Sequence, residues 1–289
     1  MNYYLCSISF RHELASLEDL MNFAQEKGFA GIELWGVHAE AISGGSDPKR
    51  IIHTLDQLQD KGLHVSMISH YVNLLATNHQ LPDVIARWRR LIALAKLFRT
   101  NRIRIFAGNQ PSHTASPEEW SLCAARLRMF SEIAYEAEVW TVIEFHPHTY
   151  FDTLQSVHSL LLEANHPGIR VNVDFLHVWE SGCDPIDALS VIKPWIGYYH
   201  LKNVRDREQL SLFEPDNVYS PNGIRDGLVS LAEGALDYAR IIRYLLKEKL
   251  NYPAALEWFG DRPFHRLESD VAWLMQLAGQ PDTNVIVSH

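Results

Sequence analysis

Short apolar stretches alternate along the chain with longer segments in which apolar residues recur at helical spacing. The short stretches are rich in β-branched and aromatic residues and predict eight strands, at residues 4–9, 30–35, 63–69, 102–106, 140–145, 169–175, 196–201 and 253–259. The longer segments predict amphipathic helices. In the first of them, Leu17, Leu20 and Ala24 share one helical face, and Gly28 supplies the C-terminal stop.

This alternation predicts the architecture. Eight strands that alternate with about eight helices in 289 residues, without a low-complexity linker, are typical of a single (β/α)₈ barrel. An open, doubly wound α/β sheet is the competing fold, but no GxGxxG motif follows the first predicted strand. We therefore expect one barrel domain, residues 1–278, followed by a C-terminal tail, residues 279–289.

One connection between predicted elements is much longer than the others. Residues 203–234 follow the seventh predicted strand and are rich in Pro, Gly, Asn and Asp. Long connections in compact domains usually carry function, and loops that follow the strands of such a barrel lie at its C-terminal mouth, where active sites are found. We predict that this segment forms a lid or a pocket wall.

The composition is that of a globular protein, because 47% of the residues are hydrophobic and can fill a large core. A net charge of -9 and the lack of a Lys/Arg run argue against a nucleic-acid partner. Cys6, Cys123 and Cys183 form no CxxC pair, which favours a reducing compartment. The sequence shows neither an apolar segment of membrane-spanning length nor the basic n-region of a signal peptide, so we expect no membrane partner and a cytoplasmic location.

Acidic and imidazole side chains collect at the ends of four consecutive predicted strands. The residues are Glu144, Asp174, His200 and Glu257, on strands five to eight. In a barrel these ends meet at one rim, where three carboxylates repel one another unless a cation lies between them. The set predicts a site for Mn²⁺ or Mg²⁺, with Co²⁺ or Zn²⁺ as alternatives. Each residue alone would more often be a helix cap or a salt-bridge partner, so the joint pattern carries the prediction.

Residues two positions apart on an extended strand point to the same side, which identifies neighbours of the predicted metal site. His146 shares its face with Glu144, and Lys202 shares its face with His200. This pattern predicts a proton-transfer group and a cation beside the metal. We interpret His148, on the loop that follows, as a solvent-exposed histidine of the rim.

Two further residues are candidates for the same pocket. His177 follows Asp174 by three positions and either reaches the site itself or supports the aspartate from behind. Arg104 lies on the interior face of the fourth predicted strand, where an arginine usually needs an anion or an acidic partner. A substrate carboxylate is one such anion.

Several motifs resemble those of a known family. They are GIELWG (31–36), IEFHPHT (143–149), VNVDFLHVWESGCDP (171–185), YYHLKN (198–203), FEPDNVY (213–219) and ALEWFG (255–260). Together they are similar to the sugar phosphate isomerase/epimerase-like (xylose isomerase-like) TIM barrels and, more closely, to the metal-dependent 3-dehydroshikimate dehydratases of the bacterial siderophore-pathway type. The similarity runs over essentially the whole chain.

The resemblance implies a lyase that converts 3-dehydroshikimate, a small molecule with a carboxylate and a ketone, to 3,4-dihydroxybenzoate (protocatechuate) with a divalent metal, commonly Mn²⁺. Removal of the proton next to the ketone gives an enolate that a Lewis-acidic metal stabilises, and loss of water gives the aromatic ring. The metal ligands carried over by motif are Glu144, Asp174, His200 and Glu257. The implied catalytic and substrate-binding residues are His146 as the general base, His177, Tyr71, Arg104, Lys202 and Tyr219.

One position departs from the family pattern. Family members have an acidic residue where His70 stands in MISHYVN (67–73), so the local charge is expected to differ. The resemblance also makes a homodimer an expectation, because barrels of this family often pair, although no segment of the sequence identifies an interface. Siderophore biosynthesis and aromatic-compound catabolism are both left open as uses of the product.

Three other functions compete with this interpretation. A sugar or inositol isomerase, epimerase or dehydratase on the same barrel would use two metal-bound glutamates as acid and base and would not need His146. An abasic-site endonuclease would have more histidine ligands and a basic DNA-binding face, which the acidic composition argues against. A non-catalytic binding protein would lack part of the ligand and base set.

Overall fold

A computed structural model describes residues 1–45 and 47–279. Its barrel strands are β1 (Tyr3–Cys6), β2 (Gly31–Trp35), β3 (His64–Ser69), β4 (Arg102–Ile105), β5 (Trp140–Glu144), β6 (Ile169–Asp174), β7 (Ile196–Leu201) and β10 (Ala254–Leu256). These strands are all parallel and close in the order β1-β10-β7-β6-β5-β4-β3-β2. The prediction of a single (β/α)₈ barrel is confirmed, and the open doubly wound sheet is excluded.

Helices lie around the barrel and at its C-terminal mouth. They are α1 (Leu17–Lys27), α2 (Gly36–Gly45), α3 (Pro48–Asp60), α4 (Leu81–Leu97), α5 (Pro117–Tyr135), α6 (Leu154–Ala164), α7 (Phe175–Glu180), α8 (Pro185–Ile192), α9 (Pro215–Val218), α10 (Tyr238–Lys247) and α11 (Pro263–Gly279). Over residues 1–45 and 47–279, none of the helices is both long and apolar enough to cross a bilayer. The predicted C-terminal tail, beyond Gly279, lies outside the described residues.

Local sequence determines where these elements begin and end. The hydroxyl of Ser16 accepts the backbone N–H of Asp19 at 3.1 Å, and the Asp19 carboxylate accepts the Ser16 N–H at 2.8 Å, so α1 begins with a reciprocal cap. The helix ends at Gly28, whose φ of +79° favours glycine. At Gly31, a Cβ atom would lie 1.9 Å from the His64 carbonyl oxygen, so glycine is needed for β2 to pair with β3.

Two predicted strands are longer than the observed ones by more than one residue. The first ends at Cys6, because residues 7–10 turn into a 3₁₀ helix. The hydroxyls of this turn accept backbone N–H groups from neighbouring strand ends, Ser7 from Trp35 at 2.8 Å and Ser9 from Trp258 at 2.9 Å. The eighth barrel strand ends at Leu256, and the chain leaves the sheet immediately afterwards. Side chains alternate between the two faces of the sheet only as far as these strand ends, so the alternation does not predict where later residues point.

The long connection after β7 is ordered by side-chain contacts. It contains the antiparallel pair β8 (Asn203–Val204) and β9 (Leu228–Val229), a 3₁₀ helix over residues 207–213, and α9. The Asn203 amide donates to the carbonyl oxygens of Leu231 and Leu236, both at 3.1 Å. The guanidinium of Arg11 donates to the Val218 carbonyl at 2.7 Å. The two ends of the connection are therefore joined to each other, and α9 is tied to Arg11, which follows the 3₁₀ turn after β1.

Asp270, a buried acid in α11, also holds the long connection in place. Its ionisation should make the stability of the protein depend on pH. Asp270 is 6% exposed, accepts the Leu231 N–H at 3.0 Å and lies near Arg266 and Glu233. Burial raises its pKa to about 7. Between its unfolded value, about 4, and pH 7, the unfolded chain releases a proton that the folded protein keeps, so the free energy of unfolding falls as pH rises.

We therefore expect Asp270→Asn, which keeps the acceptor and removes the ionisation, to raise the free energy of unfolding at pH 8 by on the order of 2 kcal/mol. The gain over the wild type should shrink at pH 5. Urea denaturation of both proteins in EDTA at the two pH values measures it. A gain that is equal at pH 5 and pH 8 would contradict an ionisation effect.

Candidate active site

The four predicted ligand residues meet inside the C-terminal mouth of the barrel. They are buried, and one ligand atom from each lies within 4.8 Å of all the others. The Nδ1 atom of His200 lies 3.2 Å from Glu144 Oε1, 3.4 Å from Glu257 Oε2 and 3.8 Å from Asp174 Oδ2. Three carboxylates thus converge on one imidazole nitrogen.

The parallel sheet brings these residues together. Glu144 and Asp174 are the last residues of β5 and β6, Asp174 pairs in register with His200 of β7, and Glu257 follows β10 directly. Asp174 also caps α7, because its Oδ1 accepts the backbone N–H groups of Leu176 at 3.1 Å and His177 at 3.3 Å. The cap directs the other oxygen, Oδ2, into the cluster.

Two buried cations lie against the carboxylates. The Nε of Arg104 is 2.8 Å from Glu144 Oε2, and the Nζ of Lys202 is 2.6 Å from Asp174 Oδ2 and 2.8 Å from Glu257 Oε2. Burial opposes ionisation of Lys202, but the carboxylates, Asp174 first, hold its pKa well above the ordinary value. Both cations are therefore charged at neutral pH.

One more buried acid completes the charge distribution. Glu33 of β2 is fully buried, and its Oε2 lies 3.0 Å from His200 Nε2. Four carboxylates and two permanent cations leave this interior with two uncompensated negative charges, a state that a low dielectric makes costly. One divalent cation, with His200 neutral, balances them.

The donor set fits such an ion. Among the described residues, Glu144 Oε2 and Asp174 Oδ2 accept no hydrogen bond of proper geometry, although each lies close to a cation. Burial disfavours the charged form of His200, but the carboxylates around it, Glu257 and Glu33 foremost, raise its pKa well above the ordinary value. Oxygen-rich groups with one imidazole suit hard-to-borderline divalent ions. The group can therefore hold a divalent metal.

His146 lies beside this group with one ring nitrogen available. Its Nδ1 is 2.7 Å from the carbonyl oxygen of Pro147, which makes Nδ1 the donor and leaves the Nε2 lone pair free. Burial, together with the neighbouring His177, lowers the pKa of His146 well below its ordinary value. The imidazole is therefore neutral at pH 7 and able to accept a proton.

The position of His177 is compatible with both of the predicted alternatives. The centre of its ring lies 4.5 Å from that of His146, with the two rings tilted by 55°, and it lines the same cavity. Its Nε2 lies 3.8 Å from Asp174 Oδ2, and its Nδ1 lies 2.8 Å from Glu180 Oε2. His148, by contrast, is exposed and lies 3.2 Å from Glu214, as expected for a rim residue.

A cavity of about 350 Å³ opens above the cluster. The predicted catalytic and substrate-binding residues all line it: Tyr71, Arg104, His146, His177, Lys202 and Tyr219. The long connection contributes Phe213 and Tyr219 to the wall, and the Tyr219 hydroxyl lies 3.0 Å from that of Tyr71. The size suits a small molecule, with charged groups at the base and aromatic rings above.

A model of the xylose isomerase-like TIM barrel family matches residues 21–277 of the chain. The chain belongs to this family. Among curated proteins, a 3-dehydroshikimate dehydratase of Bacillus anthracis is 42% identical over 260 residues, covering 90% of this chain and 91% of that one. An inosose dehydratase of Clostridium botulinum (strain Eklund 17B / Type B) is 25% identical over 134 residues, covering 46% of this chain and 45% of that one.

Solved structures give the same relationship for this xylose isomerase-like barrel. The crystal structure of the probable 3-DHS dehydratase AsbF, involved in petrobactin synthesis in Bacillus anthracis, matches with a TM-score of 0.91 and 40% identity, covering 95% of this chain and 99% of that one. The IOLI protein with a bound zinc atom matches with a TM-score of 0.73 over 96% of both chains. Its 14% identity supports the fold alone.

His70, the residue that departs from the dehydratase pattern, is paired with an acidic residue of this xylose isomerase-like barrel. His70 packs against Gly36, where a Cβ atom would lie 2.2 Å from the ring. Its Nε2 is 3.0 Å from Glu40 of α2, and burial lowers its pKa. A carboxylate is thus present at this place, but it comes from a neighbouring helix.

Sequence reasoning missed Glu33. The residue stands in the quoted motif GIELWG on an otherwise apolar strand, and a buried acid between Ile32 and Leu34 was the available signal. The prediction of the metal site considered only acidic and imidazole residues at the ends of strands five to eight, so Glu33 on strand two was given no role.

Proposed function

We infer that this protein is a 3-dehydroshikimate dehydratase, a hydro-lyase that forms 3,4-dihydroxybenzoate and water. The observation that carries this function is the 42% identity, over 90% of the chain, to an enzyme of that name. The cavity supports it, because a neutral histidine, two cations and a group able to hold a metal face the same small space. That set suits proton removal next to a ketone.

We propose that Mn²⁺ is the metal, with Mg²⁺, Co²⁺ and Zn²⁺ as alternatives. The residues that would hold it are Glu144, Asp174, His200 and Glu257. Three carboxylates and one imidazole make a hard-to-borderline ligand set that suits Mn²⁺. When bound, the ion supplies a Lewis acid that polarises a ketone oxygen and acidifies the adjacent C–H bond.

The other steps of the reaction are assigned to side chains that line the cavity. We propose that His146 Nε2 takes the proton next to the ketone and, once protonated, returns it to the departing hydroxyl as water leaves. Arg104 and Lys202 supply positive charge for the substrate carboxylate and for oxygens that gain charge. His177 is proposed to hold a substrate hydroxyl, because Glu180 orients its ring.

The test is an ultraviolet assay with purified protein, 3-dehydroshikimate and Mn²⁺, following the appearance of the catechol product. Inosose and ketose substrates are assayed in parallel. Product from 3-dehydroshikimate alone supports the proposal. Metal-loaded protein that leaves 3-dehydroshikimate unchanged but converts inosose would replace it with the inositol dehydratase alternative.

The hydroxyl pair across the cavity gives a further prediction. Tyr219 of the long connection and Tyr71 after β3 are joined at 3.0 Å, and Tyr219 stacks on Trp35 at 6.0 Å between ring centres. We expect Tyr219→Phe and Tyr71→Phe each to lower kcat/KM about fivefold, since one neutral hydrogen bond contributes about 1 kcal/mol. The double variant should lose no more than either single one. Additive losses in this double-mutant cycle would show that the two hydroxyls act separately.

Assembly and pathway are also proposals. We propose a homodimer in the cytoplasm, from the family resemblance, and a product that feeds siderophore biosynthesis. Sedimentation velocity at two protein concentrations tests the first. Growth of a deletion strain under iron limitation, with and without added 3,4-dihydroxybenzoate, tests the second.

A further inference from the structure

We infer that Glu33 is a positioning residue that fixes the tautomer of His200, so that Nδ1 is the metal-binding nitrogen. The inference rests on the proposed metal site and concerns a residue to which neither the motif nor the comparisons give a role. It follows from how the two ring nitrogens of His200 are surrounded.

The two sides of the His200 ring face different groups. Nε2 lies 3.1 Å from Glu33 Oε1 and 3.0 Å from Glu33 Oε2. Nδ1 faces the other three carboxylates, with Glu144 Oε1 the nearest at 3.2 Å. Both nitrogens face carboxylates, but a metal ligand needs its lone pair, so an ion held by the carboxylates on the Nδ1 side would leave Nε2 as the donor, with Glu33 as its acceptor.

Among the described residues, Glu33 has one charged partner at contact distance. Within residues 1–45 and 47–279, His200 is the only basic side chain within 4.0 Å of its carboxylate. The Ser69 hydroxyl of β3 donates to Oε1, and the thiol of Cys6, whose pKa is raised by burial and by Glu33, lies nearby. A fully buried carboxylate is costly unless it is paired and hydrogen-bonded, and the His200 ring N–H and the Ser69 hydroxyl are the partners that compensate Glu33.

Glu33 contacts the imidazole on the side away from Glu144 and Asp174, although one of its oxygens also lies within 4.8 Å of a Glu257 oxygen. Glu144 and Asp174 contact the Nδ1 side of His200, whereas Glu33 contacts the Nε2 side. Glu33 therefore acts through His200. Carboxylates in this position raise the basicity of a histidine ligand and restrict its orientation, and their removal typically costs 10–100-fold in metal affinity.

The first experiment measures Mn²⁺ affinity from the electron paramagnetic resonance signal of free Mn²⁺. We expect Glu33→Gln to weaken binding about 10–100-fold. Turnover at saturating Mn²⁺ should stay within several-fold of wild type, because the base and the ligands are unchanged. Glu40→Gln is the matched control: it removes a carboxylate that faces His70 and should leave Mn²⁺ affinity unchanged. In Glu33→Gln the glutamine keeps an oxygen that can accept the Nε2–H, so Glu33→Leu, which removes the acceptor, is measured beside it; wild-type affinity in both variants would overturn the inference.

A second readout observes the tautomer directly and needs no variant. In ¹⁵N-histidine-labelled wild-type protein saturated with Mg²⁺, the His200 ring should carry its proton on Nε2. A ring proton on Nδ1 would overturn the inference even if Glu33→Gln failed to fold. A result against the proposed function is distinguishable from a result against this inference. If the proposed function is wrong, metal-loaded wild-type protein does not convert 3-dehydroshikimate at all.

Discussion

Replacing His146 with alanine is expected to lower kcat for 3-dehydroshikimate by about 10³-fold while Mn²⁺ remains bound. A positioned general base typically contributes 10²–10⁴-fold, and the His146 ring has its Nε2 lone pair free beside the metal group. Its lowered pKa keeps it ready to accept a proton at pH 7. Steady-state kinetics, with Mn²⁺ content measured on the same sample, check the prediction.

His148→Ala is the matched control for this variant. His148 lies two positions further along the chain, but its side chain is exposed and pairs with Glu214 at the rim. We expect its kcat to stay within twofold of wild type, which is about 0.4 kcal/mol of barrier. If His146→Ala kept most of its activity, the acid and base would have to be metal-binding carboxylates, as in the isomerase and epimerase alternative.

Removal of the divalent ion is expected to abolish turnover and to lower the melting temperature by about 5 °C. The first effect follows from loss of the Lewis acid, and the second from the negative charge that stays uncompensated in the buried cluster even when His200 is protonated. Saturation with an ion at 100 times its dissociation constant contributes about 2.7 kcal/mol, which corresponds to several degrees for a domain of this size. Thermal unfolding in EDTA and in Mn²⁺ measures the shift.

Adding Mn²⁺ back to EDTA-treated protein distinguishes loss of the metal from irreversible damage to the protein. Wild-type protein treated with EDTA should regain its activity and its melting temperature when Mn²⁺ is added. Glu144→Gln should regain neither, because the variant loses a ligand oxygen that also faces Arg104. Full activity in a sample shown by elemental analysis to contain no divalent metal would refute the proposed cofactor.

The alternation of apolar stretches and helical segments was sufficient to predict the fold. A buried parallel strand must be apolar on both faces and a surface helix on one, so the two periods are visible in the residues themselves. The same reasoning placed Glu144, Asp174 and His200 at one rim, because the carboxyl ends of parallel strands in a barrel always meet. It failed for strand ends such as residues 7–10, where side-chain hydroxyls replace sheet hydrogen bonds.

Other features depend on contacts between residues that are far apart in the sequence, and the spacing of residues along the chain does not predict such contacts. Glu33 lies 167 positions from His200, and only closure of the barrel places its carboxylate against Nε2. The contact between Tyr71 and Tyr219 joins residues 148 positions apart. Sequence patterns report which face of an element is buried. The protonated nitrogen of a ring and the partner of a buried charge are determined by the packing of several elements around one point, and only the tertiary structure shows that packing.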